Sequence, residues 1–319
     1  MRIRRDPISM RKEGEMSKKI FAVLLVSLML LVVTSCNKVG YHQNKSRAQN
    51  NPLSFGGMIT VISREPGSGT REAFTELFDI KIRGSNGSIT DTTTQEAVTV
   101  NSTAVVLQSV AANPQAIGYI SLASFNDEVK ALKVNQVAPS MEAVLDGSYQ
   151  VVRPFIIAVK RELKGLAADF IAFILSREGQ KIVATSYVPA IVDAAPYQGH
   201  QASGKIVVGG SSSVISIMER LREAYLARNP AAQIEIHTSD STAGMTNTIS
   251  GVLDIGLASR EIQGSEAAEL MDITIARDSI VLIVNPQNPI ENLTSEEIKA
   301  IFTGGIESWE ELLASYGEG

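Results

Sequence analysis

The stretch ISREPGSGTREAF, residues 62–74, joins two different sequence patterns and decides how the rest of the chain is interpreted. The run before it, MITVI (58–62), is short and rich in β-branched residues, which predicts a buried strand. Apolar residues after it recur at helical spacing. Between the two, Gly67 and Gly69 permit unusual backbone angles, and Thr70 is a candidate N-cap. Such a helix start can hold an anion, although a capped turn with a purely structural role has the same composition.

Three further polar turns follow apolar runs in the same way. They are GGSSS (209–213), SDSTAG (239–244) and ASR (258–260). Alternating strands and helices predict parallel sheets, and ligands bind at the carboxyl ends of such strands. Several hydroxyl-rich turns that meet in one crevice would form an anion site built from neutral donors. Independent capped turns without a ligand are the alternative interpretation.

The composition excludes several kinds of site. The chain has 319 residues, enough for two modest domains, with one cysteine, Cys36, and three histidines that lack metal-ligand spacing. We therefore expect no disulfide, no metal site and no cofactor.

The charge of the chain also limits its function. Residues 1–35 contain seven of the 29 basic and three of the 34 acidic residues. The rest of the chain therefore has 22 basic and 31 acidic residues and a formal net charge of −9. This balance argues against nucleic-acid binding.

The N-terminal region has the pattern of a targeting segment. Lysines precede an apolar run, residues 20–33, that is too short for a comfortable transmembrane helix. The following VTSC (33–36) resembles the lipobox of bacterial lipoproteins, which implies cleavage after residues 1–35 and a lipid on Cys36. An ordinary signal peptide with a chance cysteine is the alternative. Because the first residues are charged and unlike a signal, translation could begin at Met16.

The remaining patterns predict the boundaries of several segments. Residues 36–57 are polar and are expected to form a flexible tether. The run DTTT at 91–94 is a helix start signal, which predicts a helix from there to about residue 112. A buried strand is predicted at 154–159, and the Pro- and Gly-containing residues 191–204 are expected to be a linker.

Six stretches distributed over the chain form a recognisable set. They are SREPGSGTREAF (63–74), SREGQKIVATSYVP (176–189), GSSSV (210–214), DIGLASRE (254–261), IVLIVNPQNPI (280–290) and LTSEEIKAIFTGGIESWEEL (293–312). Together they resemble the phosphate-binding protein of bacterial phosphate ABC importers. The resemblance covers about residues 58–319, and six matching stretches make it specific.

The resemblance implies an α/β fold. The expected architecture is a two-lobed periplasmic-binding-protein clamp, in which each lobe is a mixed sheet flanked by helices and phosphate lies between the lobes. One lobe would consist of residues 58–152 and 286–319 and would carry the SREPGSGT turn. The other would be nearly continuous, over residues 153–285, and would carry the GSSSV turn and the linker.

The resemblance also implies a phosphate site on the residues that match the family's motifs. Its ligand-binding residues would be Arg64, Ser68, Gly69, Thr70, Ser212, Ser213, Ser241 and Ser259. Ser259 stands where some members of the family have an aspartate that accepts a phosphate proton. That acceptor would therefore be another carboxylate, and the candidates are Asp240, Glu65 and Glu261. Each of the three could instead be a solvated turn residue or a partner of a neighbouring arginine.

The order of the matching stretches differs from the family's usual order. The family normally begins with the GSSSV half, whereas here the SREPGSGT half comes first and SYVP, normally near the end, lies in mid-chain. This order suggests a circular permutation, and a tandem gene that lost pieces is the rival explanation. A permuted clamp would place its first and last segments side by side and would be a monomer.

The resemblance implies an extracytoplasmic, lipid-anchored protein that binds inorganic phosphate and delivers it to a membrane-embedded ABC permease. No nucleic-acid partner is expected. A surface sensor or adhesin with the same fold is one alternative. A serine phosphatase is another, but the sequence places no base beside a candidate serine and no metal cluster to support one.

Overall fold

The computed structural model of the chain describes residues 55–84, 88–199 and 202–317. Strands and helices alternate through most of this part, so the predicted α/β class is confirmed. The strands are β1 Thr60–Arg64, β2 Lys81–Arg83, β3 Ile89–Asp91, β4 Val98–Val100, β5 Ala116–Ser121, β6 Lys130–Ala131, β7 Lys133–Val134, β8 Val152–Lys160, β9 Val188–Pro189, β10 Gly204–Ser211, β11 Ala232–Ser239, β12 Ile255–Ala258, β13 Leu270–Val284 and β14 Asn292–Leu293.

The helices range from five to fifteen residues in length. They are α1 Gly69–Leu77, α2 Thr103–Ala112, α3 Met141–Leu145, α4 Gly165–Leu175, α5 Arg177–Val183, α6 Ser212–Leu226, α7 Ser241–Ser250, α8 Gly264–Glu269, α9 Ser295–Thr303 and α10 Trp309–Gly317. Within the described ranges, none of them combines the length and the apolar character that a membrane crossing requires.

Ten of the strands form one mixed sheet. Eight of them lie in the order β11-β10-β12-β8-β13-β5-β1-β4, and β6 and β9 pair with β13. Strand β1 is parallel to β4 and β5, and β10 is parallel to β11 and β12, whereas β13 is antiparallel to β8 and β5. Residues 270–279 of β13 pair with β8 and residues 280–284 pair with β5, so this strand joins the two halves of the sheet.

The apolar core divides at the same place. One large cluster of buried side chains, which includes Tyr225, draws on residues 155–276. The other, which includes Trp309, draws on residues 61–151 and 280–312. Each half of the sheet therefore has its own apolar core beside it. The lobe boundaries expected from the sequence stay a prediction.

The first and last described segments of the chain pack together. The Ile59 amide donates to the Glu307 carbonyl at 2.8 Å, and the rings of Phe55 and Trp309 lie 6.3 Å apart between centroids. Both segments belong to the half of the molecule that contains β1. A single chain therefore completes both halves of the sheet, which is the geometry that a permuted clamp requires.

The predicted helix from residue 91 to about residue 112 begins too early, and this prediction is wrong. Helix α2 begins at Thr103, with Ser102 as its N-cap. At the predicted start, Asp91 Oδ1 instead accepts bonds from the amide and the hydroxyl of Thr93, at 2.9 and 2.6 Å. Such side-chain bonds favour a turn over a helix. The β-branched run that follows pairs with β1 as strand β4.

The segment expected to be a linker, 191–204, is docked onto its neighbours in its described part. Ala194 is buried, and the Ala195 carbonyl accepts from the Arg177 amide at 2.8 Å. The Tyr197 hydroxyl donates to Asp169 Oδ2 at 2.9 Å. The segment thus connects β9 and β10 while it covers the surface of α4 and α5.

Candidate functional site

Arg64 is the last residue of β1, and its side chain is buried. Its Nε and Nη2 atoms donate to the two carboxylate oxygens of Glu65, each at 2.8 Å. Arg71 donates from Nη1 to the Arg64 carbonyl at 2.7 Å. Glu65 thus holds the Arg64 guanidinium in one orientation and occupies one of its edges. The edge formed by Nη1 and Nη2 still carries hydrogens that Glu65 does not use.

The turn after β1 leads into helix α1, whose N-cap is Ser68 and not Thr70 as predicted. The helix begins two residues earlier than expected, because Gly67 turns the chain with a φ of 93°. Ser68 Oγ accepts from the Arg71 amide at 3.4 Å. Thr70 lies in the first turn of α1, is buried, and has its own polar contact elsewhere.

Gly69 brings this turn against two of the predicted serines. A Cβ atom on Gly69 would lie 2.3 Å from Ser241 Oγ and 2.8 Å from Ser259 Oγ, so only glycine fits at this position. Ser241 is the first residue of α7, and Ser259 directly follows β12. The fold therefore places hydroxyls from the second half of the chain directly on the backbone of the SREPGSGT turn.

The hydroxyl of Ser259 is arranged as a donor. The Ser259 amide donates to Ser241 Oγ at 3.2 Å, and Ser211 Oγ donates to Ser259 Oγ at 2.9 Å. Because Ser259 Oγ accepts from Ser211, its own proton is available for an oxygen of a ligand. Ser211, the last residue of β10, was not among the predicted site residues, although it belongs to the same serine run.

A second group of hydroxyls lies at the starts of three helices. Ser213 Oγ is 2.9 Å from Thr70 Oγ1 and 3.3 Å from Thr103 Oγ1. Ser212 Oγ lies 3.5 Å from Thr103 Oγ1. Thr103 was not among the predicted site residues, because the start of this helix was predicted at residue 91. The signal that would have found it is the Ser-Thr pair at 102–103, one residue after the β-branched run VTV (98–100).

Four helices, α1, α2, α6 and α7, thus begin at one cluster of buried polar groups. Helix starts present unpaired backbone N–H groups and the positive end of the helix dipole. Together with the hydroxyls and Arg64, they form a set of donors that suits a small oxyanion. All eight predicted ligand-binding residues lie at or beside this cluster, although their contact with a ligand stays a prediction.

The three candidate proton acceptors lie in different surroundings. Glu65 is the ion-pair partner of Arg64. Asp240 is the N-cap of α7, where Oδ1 accepts from the Ala243 amide at 2.7 Å, and it lies against Gly67. Glu261 is exposed and lines a cleft of about 930 Å³ that also touches Ser68. Their role as acceptors stays a prediction.

A buried ion pair beside the cluster was also missed. Arg153 in β8 donates from Nε and Nη2 to Asp278 Oδ2 in β13, at 3.1 and 3.0 Å. Burial lowers the pKa of Arg153 and raises that of Asp278, and the attraction between the two charges opposes both changes. Periodicity could not reveal this pair, because its members are far apart in sequence and both stand in largely apolar strands.

The predicted lipid-attachment residue Cys36, the signal region and most of the tether lie outside the described residues. Among the residues that are described, no group of three histidine, cysteine or acidic side chains is placed to hold a metal ion.

Comparison with known proteins assigns this architecture to a class. Residues 18–178 and 195–318 match the model of the PBP superfamily domain. The phosphate-binding protein PstS 2 of Streptococcus agalactiae is 41% identical over 288 residues, which cover 89% of this chain and 97% of that protein. PstS 2 of Streptococcus pneumoniae is 39% identical over 296 residues, which cover 92% of this chain and 99% of that protein.

A solved structure agrees with these matches. The crystal structure of a phosphate-binding protein of a phosphate ABC transporter from Streptococcus pneumoniae has a TM-score of 0.65 and 41% identity to this chain. The match covers 80% of this chain and 99% of that one. The chain therefore belongs to the PBP superfamily and, within it, to the family of PstS phosphate-binding proteins. The expected periplasmic-binding-protein fold is confirmed, and the chain is not an enzyme.

Proposed function

We propose that this chain binds inorganic phosphate outside the cytoplasm, is anchored to the membrane by a lipid on Cys36, and delivers phosphate to a membrane-embedded ABC permease. The observation that carries the proposal is the cluster of buried hydroxyls, helix starts and one arginine, drawn from both halves of the chain. The relatives support it, since they are named as phosphate-binding proteins and the solved one belongs to a phosphate ABC transporter.

The chemistry of the cluster favours a small tetrahedral oxyanion. The hydroxyls of Thr70 and Ser213 lie 2.9 Å apart, and Ser241 Oγ accepts from the Ser259 amide at 3.2 Å. The hydroxyls of Ser241 and Ser259 both lie within 3 Å of the place that a Cβ on Gly69 would occupy, so the four hydroxyls converge from different elements. Phosphate has several oxygens that accept hydrogen bonds in different directions, as such an arrangement requires. The Arg64 guanidinium adds a charge-assisted donor, which is stronger than a neutral one.

The two halves of the chain would act as the two lobes of a clamp. In this proposal residues 58–152 and 286–319 form the lobe with Arg64, and residues 153–285 form the lobe with Ser213, Ser241 and Ser259. Contacts such as Thr70–Ser213 join these segments. Phosphate would therefore stabilise the closed arrangement, which would present one surface to the permease.

Calorimetric titration of the purified full chain with phosphate tests the binding step. We expect saturable binding of one phosphate per chain, with much weaker binding of sulfate. Absence of heat and of any competition by phosphate would contradict the proposal. Sedimentation in the same buffer should show the expected monomer.

Substitution of Cys36 tests the anchoring step separately. In cells that process lipoproteins, the unchanged protein should sediment with the membrane fraction and incorporate labelled palmitate. Cys36→Ala should abolish the label and release the protein from the membrane, while its phosphate affinity stays unchanged. A variant that is still labelled would exclude Cys36 as the attachment site.

A further inference from the structure

The ion pair between Arg153 and Asp278 lies where the two halves of the sheet meet. The two residues are direct cross-strand partners in β8 and β13, the strands at the centre of the sheet. Each side chain is 1% exposed. The guanidinium also lies over the Phe155 ring, 5.4 Å from its centroid. The pair is therefore fully enclosed and held from several sides.

The contacts of this pair extend in two directions. On one side, Ser121 Oγ of β5 donates to Asp278 Oδ1 at 2.8 Å. On the other side, Arg153 Nη1 donates to the Ser259 carbonyl at 3.5 Å. The pair thus connects a strand of the half that carries Arg64 with the strand end that carries Ser259.

The pair has little value as a source of stability. Enclosing two charges costs desolvation, and apolar residues of similar volume in place of a buried ion pair are often neutral or stabilising. Its geometric effect on Ser259 is more specific. The backbone of Ser259 is held at its carbonyl by Arg153 and at its amide by Ser241 Oγ. A serine hydroxyl has one side-chain torsion with three staggered positions, so a fixed backbone limits its oxygen to three places, and the bond from Ser211 Oγ selects one of them.

We propose that Arg153 is a positioning residue of the anion site. Held in place by Asp278, it fixes the backbone of Ser259 and so aims the Ser259 hydroxyl at the ligand. This inference rests on the proposed phosphate binding and names a further residue pair on which that binding depends. Neither residue needs to contact phosphate itself.

Replacement of the whole pair separates positioning from stability. The double variant Arg153→Met/Asp278→Leu removes both charges together, so no unpaired buried charge remains. We expect its melting temperature without phosphate to stay within a few degrees of the unchanged protein, and its phosphate affinity to fall at least tenfold. The control is Lys205→Met/Glu235→Leu. It also removes an ion pair between two strands of the sheet, β10 and β11, but Lys205 lies at the opposite end of β10 from Ser211, so the affinity should change less than threefold.

A cycle with Ser259→Ala decides whether Arg153 acts through Ser259. If it does, adding the double substitution to Ser259→Ala should lower the affinity less than twofold further. A full tenfold loss in that background, or an unchanged affinity of the folded double variant, would overturn the inference.

If the double variant does not fold, Arg153→Lys serves instead. Lysine keeps the charge but lacks the planar guanidinium group, so an unchanged affinity of the Arg153→Lys variant would also overturn the inference. The unchanged protein is titrated first, because its failure to bind phosphate would concern the proposed function and not this pair.

Discussion

Gly69 is the point at which the SREPGSGT turn and the serine turns approach each other most closely. A methyl group there would overlap Ser241 Oγ at 2.3 Å and Ser259 Oγ at 2.8 Å. Gly69→Ala should therefore push these turns apart and lower phosphate affinity about fivefold or more, since overpacking costs about 1–3 kcal/mol. Calorimetry measures the affinity. Gly264→Ala is the control, because no atom lies within 4 Å of its added Cβ, and it should bind like the unchanged protein.

Arg64 contributes the guanidinium of the cluster that also contains Gly69. Arg64→Ala should abolish measurable phosphate binding while the chain stays folded, because the anion loses a charged donor and faces the unpaired carboxylate of Glu65. Titration calorimetry combined with a circular-dichroism spectrum checks both parts. The exposed Arg177→Ala should leave binding unchanged. A folded Arg64→Ala variant with wild-type affinity would show that the assigned cluster is not the phosphate site.

At the scale of single elements, the sequence predicted most strands and helices, because their patterns are strong and local. The stripe of α6 is an example: Val214, Ile217 and Tyr225 are all buried, as their spacing predicts. The start of α2 could not be predicted in this way. It depends on the pairing of β4 with β1 and on the bond from Arg71 to Asp91, and both join residues that only folding brings together.

The turn at Asp91 gives an element-scale prediction about pH. Burial alone would raise the pKa of Asp91, but hydrogen bonds from Arg71 and Thr93 outweigh it and hold the pKa below its usual value of 3.8. A carboxylate whose pKa is lower in the folded chain stabilises the fold at pH values above its pKa in the unfolded chain. This stabilisation is lost as the pH falls through its pKa in the folded chain. Asp91→Asn should therefore lower the free energy of unfolding near pH 7, and its difference from the unchanged protein should be smaller at pH 3. Denaturant titrations at both pH values test this, and a pH-independent difference would contradict it.

At the scale of the whole molecule, the half that carries Arg64 is closed by segments from distant parts of the chain. Trp309, the chain's one tryptophan, is fully buried there, and its Nε1 donates to the Gln115 carbonyl at 3.1 Å. Trp309→Ala should lower the free energy of unfolding by about 3–5 kcal/mol, since it leaves a large cavity in the core. Denaturant unfolding followed by circular dichroism measures the loss. Phe125→Ala, at a partly exposed ring, should cost much less.

The sequence indicated the polar turns of the site one by one, but it did not indicate that they are close to each other. Strands β8, β13 and β5 stand between β12 and β1 in the sheet, yet the turns after β12 and β1 meet at Gly69, so only the folded chain brings them together. A ligand between these turns would hold both halves together and so raise the stability of the whole chain. Phosphate at a hundred times its dissociation constant should add about 2.7 kcal/mol.

Sulfate at the same concentration should add much less stability. At neutral pH phosphate carries a proton that a carboxylate can accept, whereas sulfate would set an unprotonated oxygen against that carboxylate. Ser259 accepts from Ser211 and is arranged to donate, so it cannot supply this discrimination. Calorimetric melting with each anion measures the difference in stabilisation. The acceptor is then identified by the variant in which this difference becomes smaller, among Asp240→Asn, Glu65→Gln and Glu261→Gln. Equal stabilisation of the unchanged protein by both anions would show that the pocket has no fixed acceptor and is not specific for phosphate.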